Sequence, residues 1–306
     1  MALSPTSIGT APPPDTNFEV LARARARAAL IPDLMIEAQR IANSITSGWH
    51  GRRKRGVGDT FWQFRPYDQG ESMARIDWRR SARDESAIFV RDQEWEAAHT
   101  VWVWADQSAS MLYKSETVKV SKQSRAMVLA LALIDILSKS GERVGWPGVT
   151  NALSNRNAAE RIATELMVTK TEESLAFPPL GQLRNRSELV MISDFLEPIE
   201  VTIGEIDRVA RQGVHGTLVH IIDPAEEHFP FSGRTEFFDP ETGRKSTFGR
   251  VEKIATEYQT IFKARQDTLA QHCKRLGWNY VVHHTDKLAS VALVELHMRL
   301  SGEAAL

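Results

Sequence analysis

From His99 onward, short apolar runs alternate with longer stretches in which apolar residues return every three or four positions. The runs at 99–105, 142–149, 188–193, 216–222 and 279–283 read as buried strands. The periodic stretches at 117–139, 157–167, 200–212, 251–276 and 286–300 read as helices. In the fourth of these, Val251, Ile254, Tyr258, Ile261, Arg265, Leu269, Cys273 and Leu276 fall on one side, the pattern of an amphipathic helix. Strands alternating with helices predict an α/β, Rossmann-like fold: a mainly parallel sheet with helices on both faces. Residues 229–250 interrupt the alternation and read as an inserted β-hairpin turning at Asp239–Gly243.

Ahead of this body the pattern changes twice. Residues 1–16, with Pro5 and Pro12 to Pro14, read as a disordered tail. From Phe18 to Ser47 the residues Leu21, Ala28, Ile31, Met35 and Ile41 form an intermittent helical stripe, which Pro32 is expected to break or kink. Gly51 to Glu96 shows little periodicity and reads as loops and short strands. The expected organisation is a tail (1–16), an N-terminal helix and Arg/Trp-rich segment packed on the body (17–98), and an α/β domain (99–306) with the hairpin near 229–250.

The chemistry concentrates at two strand ends. Val101-Trp102-Val103-Trp104-Ala105 runs into Asp106-Gln107-Ser108-Ala109-Ser110, and Leu189-Val190-Met191-Ile192 runs into Ser193-Asp194. In an open α/β sheet, ligands gather outside the carboxyl ends of the strands. Alternate residues of a loop leaving a strand can turn toward one point, so Asp106, Ser108 and Ser110 can converge, and Asp194 joins them if the two strands are neighbours. Carboxylate and hydroxyl oxygens are hard donors that suit Mg²⁺ or Mn²⁺, and also Ca²⁺, over zinc or copper. The plainer reading is that Asp and Ser are ordinary turn and cap residues. Asp106 is expected to be an exposed loop carboxylate that contributes little to folding.

This pair of strand ends resembles the metal-ion-dependent adhesion site of von Willebrand factor A-like domains, where Asp-x-Ser-x-Ser leaves the first strand and a later Asp leaves the fourth. The resemblance implies metal ligation by Asp106, Ser108, Ser110 and Asp194. It also implies a further hydroxyl ligand, for which Thr169, Thr171 and Ser174 lie in the right stretch. The segment before the first strand carries a second resemblance. It contains Gly56-Val57-Gly58, Arg65-Pro66-Tyr67, Gly70-Glu71, Ile76-Asp77-Trp78, Ser81-Ala82-Arg83, Val90-Arg91 and Glu94 in order. In this it is similar to the bacterial family called domain of unknown function 58. That likeness runs from about Gly51 to the last helix. It implies action beside a MoxR-type AAA+ ATPase in maturing or remodelling a client protein.

Composition narrows the partners. The chain has 306 residues, 42% hydrophobic and 25% charged, with a net charge of −1, so no general attraction to nucleic acid or membrane is implied. Cys273 stands alone, which excludes an internal disulfide and a Cys-rich metal site. No stretch approaches the ~18 apolar residues of a membrane span, and the Pro-rich start lacks the apolar core of a signal peptide. A cytoplasmic location is therefore expected. From Gly51 to Arg91, ten Arg and Lys stand against six Asp and Glu, interleaved with Trp62, Phe64, Tyr67 and Trp78. Such mixing favours internal ion pairs over tryptophans, Asp77 with Arg65 or Arg83 among them, above a protein-binding or nucleic-acid surface. Arg23, Arg25 and Arg27 read as a solvated helix face.

Other catalytic patterns are missing from the sequence. There is no phosphate-binding Gly-x-x-x-x-Gly-Lys-Ser/Thr loop and no Gly-x-Ser-x-Gly. Neighbouring His283 and His284 point to opposite faces of a strand, and Thr285 or Asp286 reads as the cap of the last helix. Asp223, followed by Pro224, reads as a turn residue before a ligand. The expected function is a non-enzymatic, metal-assisted interaction module. The alternative is a metal-dependent phosphoester hydrolase working through Asp106 and Asp194.

Overall fold

The computed structural model describes residues 17–48, 61–67, 76–83, 88–93, 99–169, 176–240 and 242–300. The tail expected over residues 1–16 lies outside the described residues, as does most of the motif-bearing stretch before Phe61. The chain divides into two compact units, one of residues 1–49 with 100–306 and the other of residues 50–99. The N-terminal helix, α1 (Asn17–Gly48), thus clusters with the α/β body and apart from the Arg/Trp-rich segment.

The smaller unit contains β1 (Phe61–Pro66), the single turn α2 (Trp78–Ser81) and β2 (Phe89–Gln93). The two strands pair antiparallel, with an irregularity between Phe61 and Gln63. Asp77 is half-buried and caps α2, its carboxylate accepting from the Arg80 N–H at 2.9 Å. The sequence led us to expect Asp77 to be a buried charge; here its carboxylate serves an orphan helix N–H. Trp78 is 61% exposed.

The larger unit is built on a five-stranded sheet. In chain order its strands are β3 (Thr100–Ala105), β4 (Arg143–Gly145), β5 (Glu188–Ser193), β6 (His215–Ile222) and β9 (Asn279–His284). They lie in the order β4-β3-β5-β6-β9, and every neighbouring pair is parallel. Val101 to Ala105 are all buried, as are Val190 to Ser193, so both faces of the central strands are covered. The helices between them are α3 (Lys122–Lys139), α4 (Ala158–Val168), α5 (Ile199–Ala210), α6 (Pro224–His228), α7 (Glu252–Leu276) and α8 (Ala289–Leu300). Residues 229–250 supply the antiparallel pair β7 (Thr235–Phe238) and β8 (Lys245–Phe248).

The unusual element is α3. From Ala126 to Leu137 every side chain is buried, and a helix apolar on all sides must be covered on all sides. Its inner side lies on β3, β4, β5 and β6, while α1 lies against α3, α4 and α8. Ile31, Met35, Ala38, Ala42 and Ile45 make the buried stripe of α1, and the helix continues through Pro32 without ending there.

Three other expectations shift. The strand expected over 142–149 stops at Gly145, because Thr150 turns back to bond the Trp146 carbonyl at 3.0 Å. In α7 the buried row is Phe262, Gln266, Leu269, His272 and Cys273, and Ile261 is 62% exposed, because packing on α5 and β9 turns the helix off the expected stripe. Neither Thr285 nor Asp286 stands next to the start of α8. The Thr285 N–H instead bonds the Ile222 carbonyl at 2.9 Å and prolongs the sheet ladder.

Two glycines let tryptophans lie flat on the sheet. A Cβ at Gly145 would stand 2.6 Å from the Trp102 ring, and one at Gly216 would overlap the Trp278 ring. Gly216→Ala is therefore expected to lower unfolding free energy by about 1–3 kcal/mol, the range for overpacking a close-packed core. Denaturant titration followed by tryptophan fluorescence checks this; an unchanged midpoint would mean the ring moves aside freely.

Candidate functional site

The chain leaves β3 for β4 on one side of the sheet and returns to β5 on the other. The crevice between the carboxyl ends of β3 and β5 is thus the place where the order of winding reverses, and α/β sheets put their ligands there. Asp106 directly follows β3 and Asp194 directly follows β5. The Asp106 N–H donates to the Ile192 carbonyl at 2.8 Å, which ties the two strand ends together.

Asp106 is not the exposed carboxylate expected from its loop position: it is 3% exposed. Its Oδ1 accepts from the Ser108 N–H at 2.7 Å and its Oδ2 from the Ser193 hydroxyl at 2.7 Å. The Ser108 and Ser110 hydroxyls lie 3.1 Å apart, and Ser110 also bonds the Asp194 carboxylate. Asp194 Oδ1 accepts from the Leu196 N–H at 3.3 Å. All four residues expected to act together are therefore joined in one buried network. Asp194 leaves the third strand of this sheet, not a fourth as the resemblance implied, and that strand is the direct neighbour of the first.

The turn after Asp194 is strained. Phe195 has φ 47°, a left-handed conformation that a bulky side chain rarely adopts. Surrounding groups hold it there. Its N–H donates to the Ser193 hydroxyl at 3.0 Å, and its carbonyl accepts from Arg265 Nε at 2.8 Å. Its ring meets His220 edge-on at 5.7 Å. His220 is buried beside Ser193 on β6, with Nδ1 2.6 Å from the Tyr280 hydroxyl and a further bond to the Asp194 backbone. Burial drives its pKa down to about 3, so it is a neutral prop for the turn.

The site also contains two residues that the pattern reading passed over. Lys122, the first residue of α3, is 0% exposed, and its Nζ donates to Asp194 Oδ2 at 2.8 Å and to Glu226 Oε1 at 2.5 Å. Glu226 belongs to α6, where it completes a capping box. Asp223 accepts from the Ala225 N–H at 3.0 Å and the Ser115 N–H at 2.9 Å, while Glu226 Oε2 accepts from the Asp223 N–H at 2.9 Å. The signal was present: Asp223-Pro224-Ala225-Glu226 has a cap, Pro at the first helical position and Glu at the third. No comparable signal marks Lys122, which looks like an ordinary polar start to a helix.

The charges are coupled. Burial raises the Asp106 pKa from 3.8 to about 6, and the nearby Asp194 charge adds to this against the hydrogen bonds of Ser193 and Ser108. Burial pushes Asp194 the same way, but Lys122 outweighs it and Asp194 ends below the usual carboxylate range. Burial likewise works to lower the Lys122 pKa, and Glu226 with Asp194 reverse it, so Lys122 is held firmly protonated. Glu226 is raised by burial more than Lys122 lowers it.

The other hydroxyl candidates do not join this network. The Thr169 hydroxyl donates to the Glu165 carbonyl at 2.7 Å as the end of α4, and Thr171 and Ser174 lie outside the described residues. His283 is buried and His284 bonds Glu227 at 2.8 Å, on opposite sides of β9. Among the described residues no group of three or more His, Cys, Asp or Glu side chains is placed to hold a metal ion. An ion at this site would rest on Asp106, Asp194 and the two serine hydroxyls. Among the described residues, no helix is long and apolar enough to cross a membrane.

A sequence-family model described as protein of unknown function DUF58 matches residues 63–268. Uncharacterized proteins of Mycobacterium tuberculosis and Mycobacterium bovis are 24% identical over 278 residues, 85% of this chain and 85% of theirs. Among solved structures, the conserved hypothetical protein BatB from Bacteroides thetaiotaomicron is similar at 16% identity and TM-score 0.37. An aerotolerance-related membrane protein from Bacteroides fragilis is similar at 15% identity and TM-score 0.38. Each covers 67% of this chain and 99% of its own.

Two stability measurements follow from these charges. A carboxyl whose pKa is higher in the folded than in the unfolded chain favours folding while protonated, and that benefit disappears as pH rises from about 4 to about 6. Raising the pKa from 3.8 to about 6 corresponds to about 3 kcal/mol of destabilisation at neutral pH. Asp106→Asn is therefore expected to stabilise the protein at pH 7.5 by about 1–3 kcal/mol, with the gain shrinking below pH 5. Denaturant titrations in chelator at both pH values decide it; a loss of stability at pH 7.5 would contradict the assignment. Lys122→Met, which leaves two buried carboxylates without their cation, is expected to cost about 3–5 kcal/mol, read from the same titrations.

Proposed function

We propose, from the premise that the chain belongs to the DUF58 family of proteins of unknown function, that it is a non-enzymatic protein-interaction module with a divalent-cation site of adhesion type. The ion would be Mg²⁺ or Mn²⁺, held by Asp106, Asp194, Ser108 and Ser110. The observation that carries this reading is the state of Asp106. It is a buried carboxylate at the winding reversal, its pKa is raised by burial and by Asp194, and its hydrogen-bond partners are a hydroxyl and an amide, not a cation. A perturbed carboxylate in a sheet-edge crevice marks a functional site, and a cation there would meet both this charge and that of Asp194.

The residues present fit a small, hard cation. Four oxygen-bearing side chains converge, two of them charged, and Mg²⁺ typically keeps several waters and few protein ligands. Such an ion supplies an open position for a partner's carboxylate. The chain's own part is to hold the oxygens close, exclude water from beneath the site and fix the turn through Phe195 and Arg265. Two carboxylates and two hydroxyls are a sparse set, so binding is expected to be weak. The phosphoester-hydrolase alternative needs carboxylates free to cluster around two ions, and the further carboxylate beside Asp194, that of Glu226, is engaged by Lys122. The resemblance to von Willebrand factor A-like domains supports the adhesion reading. The family resemblance supports a MoxR-type AAA+ ATPase as partner, with a client protein.

Calorimetric titration with Mg²⁺ and Mn²⁺ tests the site. Wild type is expected to bind in the submillimolar to millimolar range, and Asp106→Ala and Asp194→Asn to lose the heat while remaining folded by circular dichroism. Equal titrations for all three would sink the metal site. Turnover of an aryl phosphate in Mn²⁺ that disappears in Asp106→Asn would replace the adhesion reading with the hydrolytic one.

A further inference from the structure

The position of Lys122 is unfavourable on three counts. Its side chain is fully buried, where an ammonium loses its hydration. It occupies the first position of an 18-residue helix, where the helix dipole repels positive charge. Its long stem is fixed, which gives up rotamer freedom. A helix start in contact with the core would be better served by an apolar or acidic residue. What holds the ammonium is the pair Asp194 and Glu226, at 2.8 and 2.5 Å, and it lies over the Tyr113 ring at 5.7 Å. Asp194 is one of the two carboxylates assigned above to the cation, and the lysine occupies its Oδ2.

We propose that Lys122 is the residue that sets the cation affinity of this site, acting as a built-in counter-ion with which any divalent ion must share Asp194. The inference rests on the cation-site reading above and adds its tuning element. The charge sharing is asymmetric. Asp194 meets a full positive charge, whereas Asp106, one strand away, meets none among its hydrogen-bond partners. A divalent ion therefore finds one carboxylate available and one already paired. Glu226 controls how fully it is paired, because it draws the same ammonium toward α6. The capping box fixes Glu226 in turn, its Oε2 being tied to the Asp223 N–H while Oε1 faces the lysine. The lysine thus links α3, the end of β5 and α6 into one electrostatic unit, and the occupancy of the site depends on how that ammonium is divided.

The test is binding of Mn²⁺ alone, by electron paramagnetic resonance or calorimetry at pH 7.5, to wild type, Lys122→Gln and Glu226→Gln, each checked for folding by circular dichroism. Removing the ammonium frees Asp194, so Lys122→Gln is expected to bind Mn²⁺ about tenfold tighter or more, as the loss of a neighbouring like charge implies. Glu226→Gln leaves the ammonium wholly on Asp194, so its binding is expected to weaken several-fold. A merely structural knot predicts the same direction for both variants, namely weaker binding. Wild-type binding with no gain in Lys122→Gln overturns this inference and leaves the metal site standing. No Mn²⁺ binding by any of the three overturns the metal site and this inference together. If Lys122→Gln does not fold, Lys122→Leu takes its place with the same tighter binding expected; a folded Lys122 variant that binds no tighter than wild type, or Glu226→Gln with affinity equal to or above wild type, overturns the inference.

Discussion

A buried ammonium shared by two carboxylates is the contact on which the arrangement of this sheet edge depends. Lys122 draws Asp194 and Glu226 from two different strand ends onto the start of α3. Without it, Asp194 and Glu226 would stand buried at the carboxyl edge without the ammonium that they share. Buried ion pairs seldom add net stability over a well-packed apolar alternative. This one sits at the start of a helix that from Ala126 to Leu137 is buried and, Asp135 apart, apolar. Its retention points to the edge, not the core, as the reason for it.

The same logic applies to the other costly features, which gather around Asp194. Phe195 is held left-handed, His220 is kept neutral in the interior, and Asp106 is kept ionisable under a low-dielectric cover. Each departs from what local preference would choose, and each is stabilised by neighbours that are otherwise ordinary. Sequences usually agree with their fold at every level, and concentrated disagreement marks places where something besides folding is served.

The strand ends were legible because a parallel strand buried on both faces reads as an unbroken apolar run. Val101–Ala105 and Leu189–Ile192 are such runs, and the polar residues that stop them, Asp106 after the first and Ser193-Asp194 after the second, stand at the site. Adjacency was not legible from the runs themselves, since it depends on how the crossovers wind. The burial of Asp106 was missed because a loop position says nothing about what packs over it. Lys122 was missed for a deeper reason: a lysine at a helix start is almost always a solvated one, and only the long-range approach of Asp194, 72 residues away, makes it otherwise. Glu226 was written locally, in a capping box whose second function appears only when the lysine is in place.

The placement of α1 has a consequence for how the chain is made. α1 is made before α3, α4 and α8, on which its buried stripe packs, and α8 ends at Leu300. At about 5–20 residues per second, that stripe waits many seconds for its last partner. During synthesis the apolar face of α1 has no native surface of its own, and α3, apolar on all sides, has no cover until α1 folds back over it. The two helices are thus each other's shield during synthesis, and completion of the larger unit waits for α8 to reach α1.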